Sequence, residues 1–185
     1  MAPGLAVAGA VLVATCLAIA ALASTAAAEA VPWGAGCSPA LPAERTSGSC
    51  GAELVDGKAI APPGAPPIVK QVIAAANEIN TRRYVWGGGH TSFFTKGYDC
   101  SGAVSYALHG AGLLDTTMVS GQLASWGSPG VGRWITVYAN KDHVFMLVAG
   151  LRFDTRSDPP GTSGPRWHRA WADPRNFIAR HPVGL

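Results

Sequence analysis

The chain has 185 residues, 48% of them hydrophobic, with 14 Lys and Arg against 11 Asp and Glu, five His, four Cys and a formal net charge of +3. So modest a positive balance, with no nucleic-acid-binding motif, argues against nucleic acid as a partner. Without a Cys-x-x-Cys pair the cysteines do not suggest a zinc site, and no metal or other cofactor is expected.

Residues 1–28 are rich in Ala, Leu and Val and carry no charged side chain. They end in Ser24-Thr25-Ala26-Ala27-Ala28, small residues that suit signal-peptidase cleavage after Ala28, with Ala30 as second choice. The stretch reads as a signal peptide, which predicts a secreted or wall-bound protein with no stable membrane span after cleavage. Val13-Ala14-Thr15-Cys16 is a poor lipoprotein site, because the apolar run continues past Cys16. Export leaves Cys37, Cys50 and Cys100 in an oxidising compartment, an odd count. A disulfide between Cys37 and Cys50, with Cys100 free, is the economical solution, and closing a loop of about 15 residues contributes roughly 3 kcal/mol in the chain-entropy model. Residues 29–67 hold few bulky apolar side chains and end in the Pro-rich run 61–67, which reads as a semi-extended spacer. The folded domain is therefore expected over residues 68–185.

Ile68, Val72, Ile73, Ala75, Ala76 and Ile79 recur at helical spacing, with Pro67 suited to the first turn. Tyr84-Val85-Trp86-Gly87-Gly88-Gly89-His90 follows, a glycine loop that has neither dinucleotide-binding nor phosphate-loop spacing. Next comes Tyr98-Asp99-Cys100-Ser101-Gly102, which runs into a helical pattern over residues 103–114. A cysteine in a helix's first turn faces unpaired N–H groups and the positive end of the macrodipole, which favour thiolate and can hold an oxyanion. Cys100 is the candidate nucleophile.

A cysteine nucleophile needs an imidazole to take and return its proton. His109 lies nine residues along the helix, about 180° around and roughly 13 Å up the axis, out of reach. His90 sits on the glycine loop, His168 in a charged run and His181 in the tail. His143 opens Val144-Phe145-Met146-Leu147-Val148, the run of a buried central strand, and is the candidate base. Ala149-Gly150 reads as a two-residue hairpin loop, which pairs Val148 with Leu151 and puts Asp154 on the sheet face of His143, as its orienting carboxylate. Asn140 and His168 are the reserves for that third role.

Tyr84 to Gly89, Tyr98 to Gly102 and the later His143-Val144 step together resemble the NlpC family of papain-like bacterial cell-wall cysteine peptidases. The likeness spans about residues 66–154, and the tail, with Gly164-Pro165-Arg166-Trp167, is similar to an actinobacterial-type branch. The resemblance implies an α+β papain-like fold, with the nucleophile helix packed on a central antiparallel sheet. It also implies hydrolysis of peptidoglycan stem peptides between D-glutamate and a diamino acid, and a base at the His143-Val144 step. By matching position Tyr84 and Trp86 line the substrate cleft, and Asp99 and Ser101 help grip the substrate end. Two departures stand out: Asp154 where many members have His, Asn or Gln, and Pro129-Gly130-Val131 where a Pro-Gly-Asp turn is usual. Anionic wall polymers are further expected partners, given the positive charge. An acyltransferase or amidase with the same dyad, and a non-catalytic wall-binding module, are the alternatives.

Overall fold

The computed structural model describes Met1 and residues 51–156, 163–169 and 172–185. The expected signal peptide and the Cys37–Cys50 bridge lie outside the described residues. The elements in chain order are β1 (Glu53–Val55), β2 (Lys58–Ile60), α1 (Pro67–Ile79), β3 (Arg83–Tyr84), β4 (Gly97–Tyr98), α2 (Cys100–His109) and α3 (Ser120–Leu123). They continue with β5 (Ser128–Pro129), β6 (Ile135–Ala139), β7 (Val144–Val148), β8 (Leu151–Asp154), β9 (Arg166–His168) and β10 (Ile178–His181).

Helix α1 starts at Pro67, whose missing N–H costs nothing in a first turn. It buries Val69, Val72, Ile73, Ala75, Ala76 and Ile79. Helix α2 packs beside it, burying Ala103, Val104, Ala107 and Leu108, and ends at His109 with Gly110 as its C-cap, short of the expected Leu114. Both helices lie on a six-stranded antiparallel sheet of order β5-β10-β6-β7-β8-β9. The architecture is thus the α+β arrangement expected.

All residues of β7 are buried, because both faces of the sheet are covered there. Val144, Met146 and Val148 join the main core with the helices, while Phe145 and Leu147 pack with Tyr138 on the opposite face, where Phe177 leans against them. The β7–β8 hairpin has the expected register, Val148 opposite Leu151 and Met146 opposite Phe153. Ala149 and Gly150 both take positive φ, 46° and 85°, which is what a tight turn matched to strand twist demands.

The segment before α1 departs from the spacer expected. β1 and β2 form a hairpin around Asp56 and Gly57, with φ of 48° and 77°. Asn77 of α1 holds β2 from both sides: it accepts from the Ala59 N–H at 3.0 Å and donates to the Ala59 carbonyl at 2.8 Å. Asn80 donates to the Gly57 carbonyl at 2.6 Å, and the Ala52 N–H donates to the Ala149 carbonyl at 2.7 Å. The Pro-rich stretch turns back on itself, with the Ala65 N–H bonded to the Pro62 carbonyl at 3.0 Å and Ala65 buried. The folded unit therefore begins well before residue 68.

The same two asparagines hold the far sheet edge. Trp167 of β9 donates its indole N–H to Asn77 at 2.9 Å and its backbone N–H to Asn80 at 3.1 Å, and its ring packs 4.9 Å from Phe153. The tail thus closes over the domain through β9 and β10.

Candidate active site

Cys100 is the first residue of α2 and is 8% exposed. Asp99 is the N-cap: its Oδ1 accepts from the Gly102 N–H at 2.9 Å, which leaves the other first-turn N–H groups near the thiol. The short parallel pair of β3 with β4 brings the glycine loop alongside this turn. The loop and the turn meet through backbone as well as through side chains. The Asp99 N–H donates to the Gly88 carbonyl at 3.1 Å, and a β-carbon on Gly102 would stand 2.0 Å from that same oxygen. Glycine is required there by close approach.

His143 sits just before β7, with its ring packed near Phe145 and Phe177 at centroid distances of 6.4 and 6.2 Å. Its Nε2–H donates to Asp154 Oδ1 at 2.8 Å, and both side chains are almost fully buried. The Cys100 thiol lies near enough to the ring to act on its protonation. With Nε2 taken by the carboxylate, Nδ1 is the nitrogen left for sulfur. Asp154 also accepts from the Arg156 N–H at 3.0 Å, and Arg152 lies 3.8 Å from its second oxygen. The structure thus brings Cys100, His143 and Asp154 into one chain of contacts.

Burial alone pushes the Cys100 thiol up, but hydrogen bonds from His143 and Ser120, the His143 charge and the Val144 N–H outweigh it and hold the thiol below its ordinary range. Burial likewise disfavours the His143 imidazolium, yet Asp154 and Cys100 together raise its pKa above the usual value. Burial works against the Asp154 carboxylate too, and the His143 hydrogen bond and charge, the Arg156 N–H and Arg152 lower its pKa nonetheless. The three shifts agree: they favour thiolate, imidazolium and carboxylate together.

The reserves do other work. Asn140 Oδ1 accepts from the N–H groups of Asp142 and His143, each at 2.9 Å, so it shapes the turn that presents the imidazole. His168 lies on β9 opposite Arg152. His109 stacks on Phe93 at 3.8 Å and contacts the Leu114 carbonyl, away from the thiol. Two partners of the thiol escaped sequence reasoning. Ser120, the first residue of α3, has its Oγ 3.6 Å from Cys100 Sγ, and the Val144 N–H also points to the sulfur. Neither has a sequence signal beyond Gln122, whose side chain accepts from the Val119 N–H and so fixes the start of α3.

Of the expected substrate contacts, Tyr84 is half-buried, and its phenol is pushed up by burial and by the charges of Cys100 and Asp99, with Arg156 opposing, which puts it within their field. Trp86 is 82% exposed, so it belongs to no core. Asp99 and Ser101 are buried and bonded to each other at 3.1 Å, which leaves them less open to a ligand than expected. His90 stands over them, with Nε2 2.6 Å from Asp99 Oδ2 and 3.1 Å from Ser101 Oγ.

Among solved structures, NlpC/p60 proteins are similar to this chain. The peptidoglycan hydrolase RipB of Mycobacterium tuberculosis is 23% identical, over 65% of this chain and 72% of that one, with a TM-score of 0.47. A hypothetical invasion protein of the same organism is 20% identical, over 61% of each chain, with a TM-score of 0.45, so this chain spans about three fifths of that protein's length. RipD of the same organism, described as a non-catalytic NlpC/p60 domain protein adapted to peptidoglycan binding, is 20% identical over 63% of this chain and 98% of its own, with a TM-score of 0.44. No family model matches the chain, and no curated protein matches it.

Proposed function

We propose that this is an exported cysteine peptidase that hydrolyses a peptide bond in peptidoglycan stem peptides, of the D-glutamyl to diamino acid type. One observation carries the chemistry: a buried imidazole lies between the thiol of a helix-initiating cysteine and a buried carboxylate, with His143 Nε2 2.8 Å from Asp154. The wall-peptide substrate class comes from the motif resemblance of Tyr84 to Gly89, Tyr98 to Gly102 and His143-Val144. Residues 1–28 would direct export.

In the reaction, the Cys100 thiolate attacks the amide carbonyl, forming a carbon–sulfur bond and a tetrahedral oxyanion. Backbone N–H groups at the start of α2 receive that charge. His143 gives its proton to the leaving nitrogen as the carbon–nitrogen bond breaks, which leaves a thioester and a free amine. The neutral imidazole then takes a proton from water, the hydroxide attacks the thioester, and the carbon–sulfur bond breaks to release the acid and the thiolate beside the imidazolium, which restores the starting pair. Asp154 keeps the ring oriented and stabilises the imidazolium without itself changing protonation. Asn140 and Ser120 act as positioning groups, one on the turn before β7 and one beside the sulfur.

The test is mass spectrometry of fragments released from purified peptidoglycan by the mature protein and by Cys100→Ala. Release of cut stem peptides by the unsubstituted protein alone is the expected result, and the fragment masses name the bond. A folded protein with reduced Cys100 that binds the wall and releases nothing would replace this reading with a binding module; transfer to an added amine in place of hydrolysis would replace it with acyl transfer.

A further inference from the structure

Asp99 and Ser101 flank the nucleophile in sequence, and a carboxylate beside a hydroxyl is a donor-seeking pair that suits an ammonium group through charge-assisted hydrogen bonds. In this chain the pair is already spent. Asp99 Oδ1 takes the Gly102 N–H at 2.9 Å and the Ser101 hydroxyl at 3.1 Å, while Oδ2 takes the Gly87 N–H at 3.1 Å and His90 Nε2 at 2.6 Å. The Asp99 side chain is 5% exposed, whereas that of His90 is 33% exposed. His90 is itself fixed: its N–H donates to the Gly87 carbonyl at 3.2 Å, and its carbonyl accepts the Thr117 hydroxyl at 2.5 Å. An ammonium group reaches Asp99 only by displacing this imidazole.

We propose that His90 is a specificity-determining residue, a cover over Asp99 and Ser101 that lets the site accept acyl groups with no free ammonium beside the scissile bond. A ligand on that side meets the imidazole edge. With Nε2–H committed to Asp99, Nδ1 remains as the ring's other polar atom, an acceptor for a neutral substrate amide N–H. The inference deepens the peptidase reading and rests on it for its kinetic arm.

The test uses a synthetic D-glutamyl–diamino acid dipeptide with its amino end either free or acetylated. Binding to Cys100→Ala is measured by calorimetry, and kcat and KM are measured on forms that keep Cys100. With His90 present, the two peptides bind within about threefold of each other, a difference of well under 1 kcal/mol. His90→Ala uncovers the carboxylate and shifts preference toward the free ammonium by about 10-fold or more, the scale of one charge-assisted hydrogen bond, seen in KM more than in kcat. His90→Gln, whose amide can donate to Asp99, keeps the original lack of preference and guards against a merely structural loss. A strong preference for the free amine that His90→Ala leaves unchanged would overturn the proposal, as would failure of both peptides to bind. The expected binding pattern without cleavage by any form carrying Cys100 would overturn the peptidase reading and leave the cover standing.

Discussion

Two histidine–aspartate pairs flank the nucleophile, nearly alike in distance and different in setting. In one, His143 and Asp154 are 2.8 Å apart with side chains 7% and 1% exposed; in the other, His90 and Asp99 are 2.6 Å apart with side chains 33% and 5% exposed. Burial is one difference, and the neighbour of the second ring nitrogen is the other. His143 turns that nitrogen to a thiol and Asp154 raises its pKa, so the pair is built to hold a proton for the sulfur. His90 rests on an aspartate that is already a helix cap, so this pair is built to hold a loop and cover a charge. The same two residue types thus serve proton transfer or masking, according to what else they touch.

The largest break in the comparison is His143→Ala. It removes the imidazole that both lowers the thiol pKa and protonates the leaving group, and wall hydrolysis should fall by about 10³-fold or more, read as fragment release per unit time. His90→Ala should cost far less on acetylated substrate. Asp154→Asn comes next, with a loss of about 10²-fold expected and a change in the pH profile. Activity rises as Cys100 loses its proton, below the ordinary thiol range, and falls as the His143 imidazolium loses its own, above the ordinary 6.5. Without the carboxylate the imidazolium is less favoured, so the alkaline limb moves to lower pH. The thiolate then loses part of its counter-charge, so the acid limb moves up and the active window narrows from both sides; Asp99→Asn should leave that window in place.

Gly102→Ala sharpens the comparison from the other side. Its β-carbon would stand 2.0 Å from the Gly88 carbonyl oxygen, so the glycine loop must shift off the α2 turn. Thermal denaturation should show a loss of about 1–3 kcal/mol. Hydrogen exchange should rise at residues 87–90 and stay unchanged in the β7–β8 hairpin. The smallest effect is expected at Gly57→Ala, where φ of 77° costs an L-residue about 1–2 kcal/mol, measured as a lower unfolding midpoint with catalysis intact.

The His143–Asp154 pair was legible in the sequence because a two-residue turn fixes register, and register fixes the face each side chain takes. Ala149-Gly150 therefore sufficed to bring residues 143 and 154 together. Cys100 was legible as a helix start from the apolar spacing that follows it. The β1–β2 hairpin was passed over on composition, although Asp56-Gly57 is a strong local hairpin signal; its stability comes from Asn77 and Asn80 on a helix read separately. His90, Ser120 and β9 had no local signal. Their roles depend on long-range placement: the parallel pairing of β3 with β4 for His90, the turn into α3 for Ser120, and contacts from Trp167 back to α1 for β9.

The most direct measurement is the rate of Cys100 alkylation by a small neutral reagent as a function of pH, in the unsubstituted protein and in His143→Ala. Thiolate reactivity that titrates below the ordinary thiol range, and moves to higher pH when His143 is removed, is the predicted result. One profile shared by both proteins would mean that the imidazole does not govern the sulfur, and would contradict the account at its centre.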